Sequence, residues 1–66
     1  MKLKIDKKTD TLYFRLDDEK ILESEETSPG VILDYNEHNE VVGIEILNLS
    51  RRTEKINLDS LLYETV

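Results

Sequence analysis

The chain lacks cysteine and tryptophan altogether and carries one proline, two glycines and one histidine in 66 residues. Without cysteine there is no disulfide and no thiolate zinc site, so the usual staples of a small secreted fold are missing. No apolar run approaches the length of a signal-peptide core or a membrane span, and the expectation is a cytoplasmic protein that does not engage the membrane. A large core is excluded as well. A domain of this size buries only about 60% of the surface its unfolded chain exposes, so a homodimer or a small basic protein partner is the expected supplement.

Positive charge is scarce where it would matter for nucleic acid. The net charge is -6, and it is unevenly placed. Residues 16–50 carry ten carboxylates against Lys20 alone, whereas residues 1–15 carry Lys2, Lys4, Lys7, Lys8 and Arg15 against Asp6 and Asp10. An acidic middle block repels phosphate backbones and attracts basic surfaces, which argues against nucleic acid and for a basic partner. The same charges also keep a thin sheet soluble and blunt its edges.

What is present is two-residue alternation. From Ser28 to Leu47 the apolar residues Val31, Leu33 and Tyr35, then Val42, Ile44 and Ile46, alternate with polar or small ones around Asn36-Glu37-His38-Asn39. That pattern predicts a β-hairpin with Tyr35 opposite Glu40, Leu33 opposite Val42 and Val31 opposite Ile44, and it gives Asn39 the left-handed turn position. Residues 2–6 and 11–16 predict another hairpin, with Ile5 opposite Leu12 and Leu3 opposite Phe14 around Lys7-Lys8-Thr9-Asp10. Between them, residues 21–27 are extended with little to bury on either side, which suits a sheet edge, and Ser28-Pro29-Gly30 ends that strand.

After Leu47, residues 48–55 are polar and read as a connection. Asn57 then serves as an N-cap, with Ile56 placed to staple onto Leu61, while Leu58, Leu61, Leu62 and Val66 fall on one helical face. The fold class expected is therefore α+β: one domain over residues 1–66, with an antiparallel β-meander of four to five strands over 1–47 and a short C-terminal helix over 56–66. The helix would cover the face built from Leu3, Ile5, Leu12, Phe14, Leu16, Leu33, Val42, Ile44 and Ile46.

The opposite face is mixed. Alternation assigns to it Tyr13, Arg15, Ile32, Asp34, Val41, Gly43, Glu45 and Leu47. Apolar anchors ringed by charge describe the centre and rim of an interface. Together with the carboxylates Glu23, Glu25 and Glu26 of the edge strand they form the candidate interface.

No chemical motif competes with this reading. His38 lies in a turn that offers neither an orienting partner nor a pocket, so it makes a poor base. Asp17, Asp18, Glu19 and Glu23 match no calcium or magnesium loop. The register does not set Asp34 directly against Glu45, and Arg15 would neutralise either one. Ser24, Ser28, Ser50 and Ser60 lack a histidine framework, and Arg51, Arg52 and Lys55 lack an aromatic platform for bases. No enzyme and no cofactor is expected. A small metal-dependent enzyme using the acidic turn and a DNA-contacting autoregulator using Arg51 and Arg52 are the alternatives.

Three stretches carry a family resemblance. Leu12 to Leu16 after T-D-T, then the run from Glu25 through P-G-V-I-L-D-Y-N to Asn36, then V-V-G-I-E-I-L from Val41 to Leu47, resemble the domain of unknown function 2283 family over about residues 3–52. The resemblance implies a compact meander of short strands without established enzymatic activity, and an antitoxin-type role beside a small toxin-like partner. The sequence departs from the family at His38-Asn39, where glycine is common.

Overall fold

The computed structural model describes residues 1–52. Five strands form one antiparallel sheet: β1 (Lys2–Asp6), β2 (Thr11–Arg15), β3 (Glu23–Ser28), β4 (Val31–Tyr35) and β5 (Val41–Ile46). They lie in the order β1-β2-β5-β4-β3. The expected meander is thus present as a β1–β2 hairpin and a β3–β4–β5 unit, joined where β2 pairs with β5. The expected C-terminal helix at 56–66, and with it the lid over the apolar face, lies outside the described residues.

The first hairpin has the expected register. Leu3 pairs with Phe14 and Ile5 with Leu12; a slip of one residue would split the apolar set between the two faces, and the four-residue loop Lys7 to Asp10 selects this pairing among those that keep it together. Its loop is closed locally: the Asp6 carboxylate accepts from the amides of Lys8 at 3.0 Å and Thr9 at 3.3 Å, and Asp10 adopts φ 58°. An aspartate that mimics a backbone turn and another that tolerates the left-handed region are what such a loop requires.

The second hairpin corrects the predicted register. Leu33 pairs with Ile44 and Val31 with Ile46, two positions away from the pairing expected from alternation alone. A register shift between Asp34 and Tyr35 carries the difference: Asp34 pairs with Gly43 but Tyr35 pairs with Val41, so Val42 is the extra residue of a β-bulge. Bulges add one residue to one strand and bend it. Val42 is the most buried apolar side chain described, 3% exposed, and its carbonyl accepts from Leu16 N at 2.8 Å. The shift also moves Val41. Directly opposed residues share a face, so Val41 stands on the Tyr35 side of the sheet rather than with Asp34, and it leaves the mixed face.

Across the sheet the side chains line up in rungs. One apolar rung runs Leu3, Phe14, Ile44 and Leu33, ending in Glu25; the next runs Ile5, Leu12, Ile46 and Val31, ending in Ser28. These aliphatic side chains are half-buried. β3 is exposed along its whole length and, among the described residues, pairs only with β4, as expected of an edge strand. Gly30, at φ 76°, turns the chain after Pro29.

The stretch after β5 is more ordered than a polar connection. Leu49–Arg51 form a 3-10 turn entered through Asn48 at φ 52°, and Leu49 is 8% exposed. Asp10 fastens this turn to the first loop: its carbonyl accepts from Leu49 N at 2.9 Å, and its carboxylate accepts from Ser50 N at 3.0 Å and Ser50 Oγ at 2.7 Å. Arg52 fastens the other side, donating to the carbonyls of Pro29 at 2.6 Å and Leu47 at 3.3 Å.

Candidate functional site

Two rungs cross the mixed face from β1 to β3. Lys2, Arg15, Gly43, Asp34 and Ser24 form one, and Lys4, Tyr13, Glu45, Ile32 and Glu26 the other. Gly43 sits between Arg15 and Asp34 and has no side chain, and Tyr13 reaches diagonally over that gap. Its hydroxyl donates to Asp34 Oδ2 at 3.1 Å. A Cβ on Gly43 would lie 2.7 Å from that same oxygen and 3.0 Å from the Tyr13 hydroxyl, so the contact depends on glycine.

Asp34 is 7% exposed, and a carboxylate so buried must be met by donors. Ser24 Oγ supplies the second, donating to Oδ1 at 2.6 Å. Arg15 Nη1 donates to the Tyr13 hydroxyl at 3.3 Å, so its charge reaches the aspartate through the phenol. The hydrogen bond to Tyr13 is the first cause of an upward shift in the Arg15 pKa, and the guanidinium stays charged at any physiological pH. The rest of Arg15 closes the next loop by donating to the carbonyls of Asp17 and Glu19. Arginine, tyrosine, aspartate and serine from three strands therefore form one satisfied network. The sequence suggested that Arg15 would pair directly with Asp34 or Glu45; instead the Tyr13 hydroxyl stands between Arg15 and Asp34 and bonds to both. Ser24 was not part of the expected mixed face; only the β3–β4 register reveals it.

Beside this network lies an open groove of about 410 Å³, lined by Lys4, Asp6, Thr9, Thr11, Tyr13, Asp34 and Glu45. Of the residues assigned to the mixed face, Tyr13, Arg15, Ile32, Asp34, Gly43 and Glu45 are brought together. Leu47 follows β5 half-buried, its amide bonded to the Gly30 carbonyl at 2.8 Å.

The edge carboxylates divide by face. Glu23 pairs with Tyr35 and Glu25 with Leu33, so both stand on the apolar side; Glu26 pairs with Ile32 on the mixed side and accepts from Gly30 N at 2.9 Å. The remaining candidates are structural or exposed. Asn36, 5% exposed, donates to Glu19 and to Glu40 Oε1 at 3.0 Å, while its Oδ1 accepts from the amides of His38 and Glu40, both at 2.9 Å. This buried asparagine holds the β4–β5 turn and was not singled out by the sequence. His38 stands exposed on that turn, 3.5 Å from Glu37, and Asn39 takes the expected left-handed conformation at φ 60°. Among the described residues no three histidine or acidic side chains converge as a metal site, and no helix is long and apolar enough to cross a membrane.

The fold and its closed polar network define a small one-sheet protein with two chemically different edges. The chain belongs to the family of proteins of unknown function DUF2283, whose model matches residues 2–50, the span from β1 to the 3-10 turn. No curated protein and no solved structure matches it.

Proposed function

We propose that this protein is a non-enzymatic interaction module that binds a basic protein partner along the edge strand β3, with association of two copies as its second mode. The observation that carries the reading is the six-residue strand Glu23–Ser28, exposed at every position and, among the described residues, paired on one side only. Its backbone is open to strand addition, in which main-chain hydrogen bonds give affinity and alternate side chains give specificity. Glu23 and Glu25 stand beside Tyr35 and Leu33 at the rim of the apolar face. A lysine or arginine meeting those carboxylates would lay its aliphatic stem on the same apolar side chains. The network around Asp34 is satisfied within the chain, which suits a scaffold that holds β3 in place. The antitoxin-type role implied by the family resemblance is the sharper form, with a cationic ribonuclease-type toxin as the partner.

The test is capture at low salt, identification of the captured protein, and titration of that purified partner against wild type and Glu23→Lys/Glu25→Lys. The reading expects a basic partner, affinity that falls steeply with salt, and roughly tenfold weaker binding by the variant. Binding indifferent to both salt and charge reversal would remove it.

A further inference from the structure

The two edges of the sheet differ in what they can accept. On β3, carboxylates point to both faces, a register irregularity falls between Glu26 and Ser28, and Pro29 follows. A second β3 laid against it would set glutamate against glutamate. The β1 edge, to which no described residue pairs on its outer side, has a different pattern. Leu3 and Ile5 carry the apolar face to the rim, while Lys2, Lys4 and Asp6 share the other face.

We infer that β1 pairs with β1 of a second copy, antiparallel about a two-fold axis through Lys4, so that the two sheets become one. In this register Leu3 of each copy lies opposite Ile5 of the other, and Lys2 lies opposite Asp6. The strand is self-complementary on both faces, as a two-fold contact demands. Joining β1 to β3 instead would place Glu25 against Leu3 or Ile5 on the apolar side. Lys2 supplies a further reason: within the chain it pairs directly with Arg15, a like-charge pair that disfavours the hairpin. Asp6 of the second copy would sit on the other side of Lys2 and offset that repulsion. Only Lys4 meets its own kind, across the axis. The inference specifies the self-association mode of the interaction module and leaves the basic partner at β3 untouched.

The absence of native cysteine makes a single introduced thiol diagnostic. Lys4→Cys places two thiols at directly opposed positions, within the Cα separation a disulfide spans. Lys2→Cys places them four residues apart along the pair, roughly 13 Å at about 3.3 Å per residue, which is too far. Under mild oxidation the Lys4→Cys protein should form a covalent dimer and the Lys2→Cys and Glu25→Cys proteins should not. Both cysteine positions on β1 replace exposed side chains, so folding is preserved. As a second measurement, native mass spectrometry of wild type mixed equally with Lys4→Glu should show mixed dimers above the half expected from random association. No preferential cross-link at position 4, or a mixed fraction at or below half, would overturn the inference. Failure here with binding at β3 retained would remove the dimer and leave the proposed function standing; failure at β3 alone would do the reverse.

Discussion

Replacing Gly43 with alanine is the sharpest perturbation of the polar network, because one methyl group must share space with the bond that spans it. The new carbon would stand 2.7 Å from Asp34 Oδ2 and 3.0 Å from the Tyr13 hydroxyl. Asp34 cannot swing aside freely, since Ser24 holds its other oxygen at 2.6 Å. The tyrosine bond must therefore lengthen or break, and a hydrogen bond to a charged buried group is worth about 1.5–3 kcal/mol. Against this, alanine relieves the conformational freedom of a glycine within a strand, a gain of about 0.5–1 kcal/mol. The net expectation is a loss of about 1–2 kcal/mol. For a chain of this length, with total stability on the order of 3–10 kcal/mol, that is a large fraction, and it corresponds to a fall in Tm of roughly 4–15 °C. Urea unfolding followed by far-ultraviolet circular dichroism reads it directly. Repeating Gly43→Ala in an Asp34→Ala background supplies the control: with the carboxylate gone, the added methyl should cost little or become favourable. A Gly43→Ala protein as stable as wild type, or equal costs in the two backgrounds, would refute the assignment of Gly43 as the space over which Tyr13 reaches Asp34.

Further perturbations follow from the same contacts. Tyr13→Phe removes one donor to Asp34 and the acceptor of Arg15, and should cost about 1–3 kcal/mol by urea unfolding; a neutral result would mean that the phenol is replaceable by solvent. Asn36→Ala leaves the amides of His38 and Glu40 without their shared acceptor and should destabilise by about 1–3 kcal/mol, with the amide signals of residues 36–40 exchanging faster in nuclear magnetic resonance. Asn39→Gly should hold or raise stability by several tenths of a kcal/mol, since φ 60° suits glycine, whereas Asn39→Val should lower it.

The first hairpin was legible because nothing interrupts its alternation, and the loop of Lys7 to Asp10 carries its own turn chemistry. The β4–β5 pairing was not, because Val41-Val42 gives no sign of which valine is the extra residue; both are apolar, and the bulge is settled by burial of Val42 and by its carbonyl bonding to the end of β2. Alternation correctly gathered Tyr13, Arg15, Asp34 and Gly43 on one face, but it could not tell a network closed on itself from an interface open to a partner. That distinction lies in distances. Ser24 joined the network only through the pairing of β3 with β4, a long-range choice that a strand of glutamates and serine leaves open. Asn36, Leu49 and Asp10 were hidden for another reason: they lie in turns, where no periodicity marks them, and both the burial of Asn36 and Leu49 and the bonds of Asp10 to Leu49 and Ser50 depend on contacts made after the strands pair.

In the proposed function this sheet meets a basic partner along β3 rather than through its Tyr13–Asp34 face. Titration of the isotope-labelled protein with an extended peptide of alternating lysine and valine, followed by amide chemical shifts, separates the two surfaces. Binding along β3 gives saturable shifts concentrated on Glu23 to Ser28, suppressed by salt and absent in Glu23→Lys/Glu25→Lys. Shifts centred on Tyr13, Asp34 and Glu45 with β3 unmoved would contradict it.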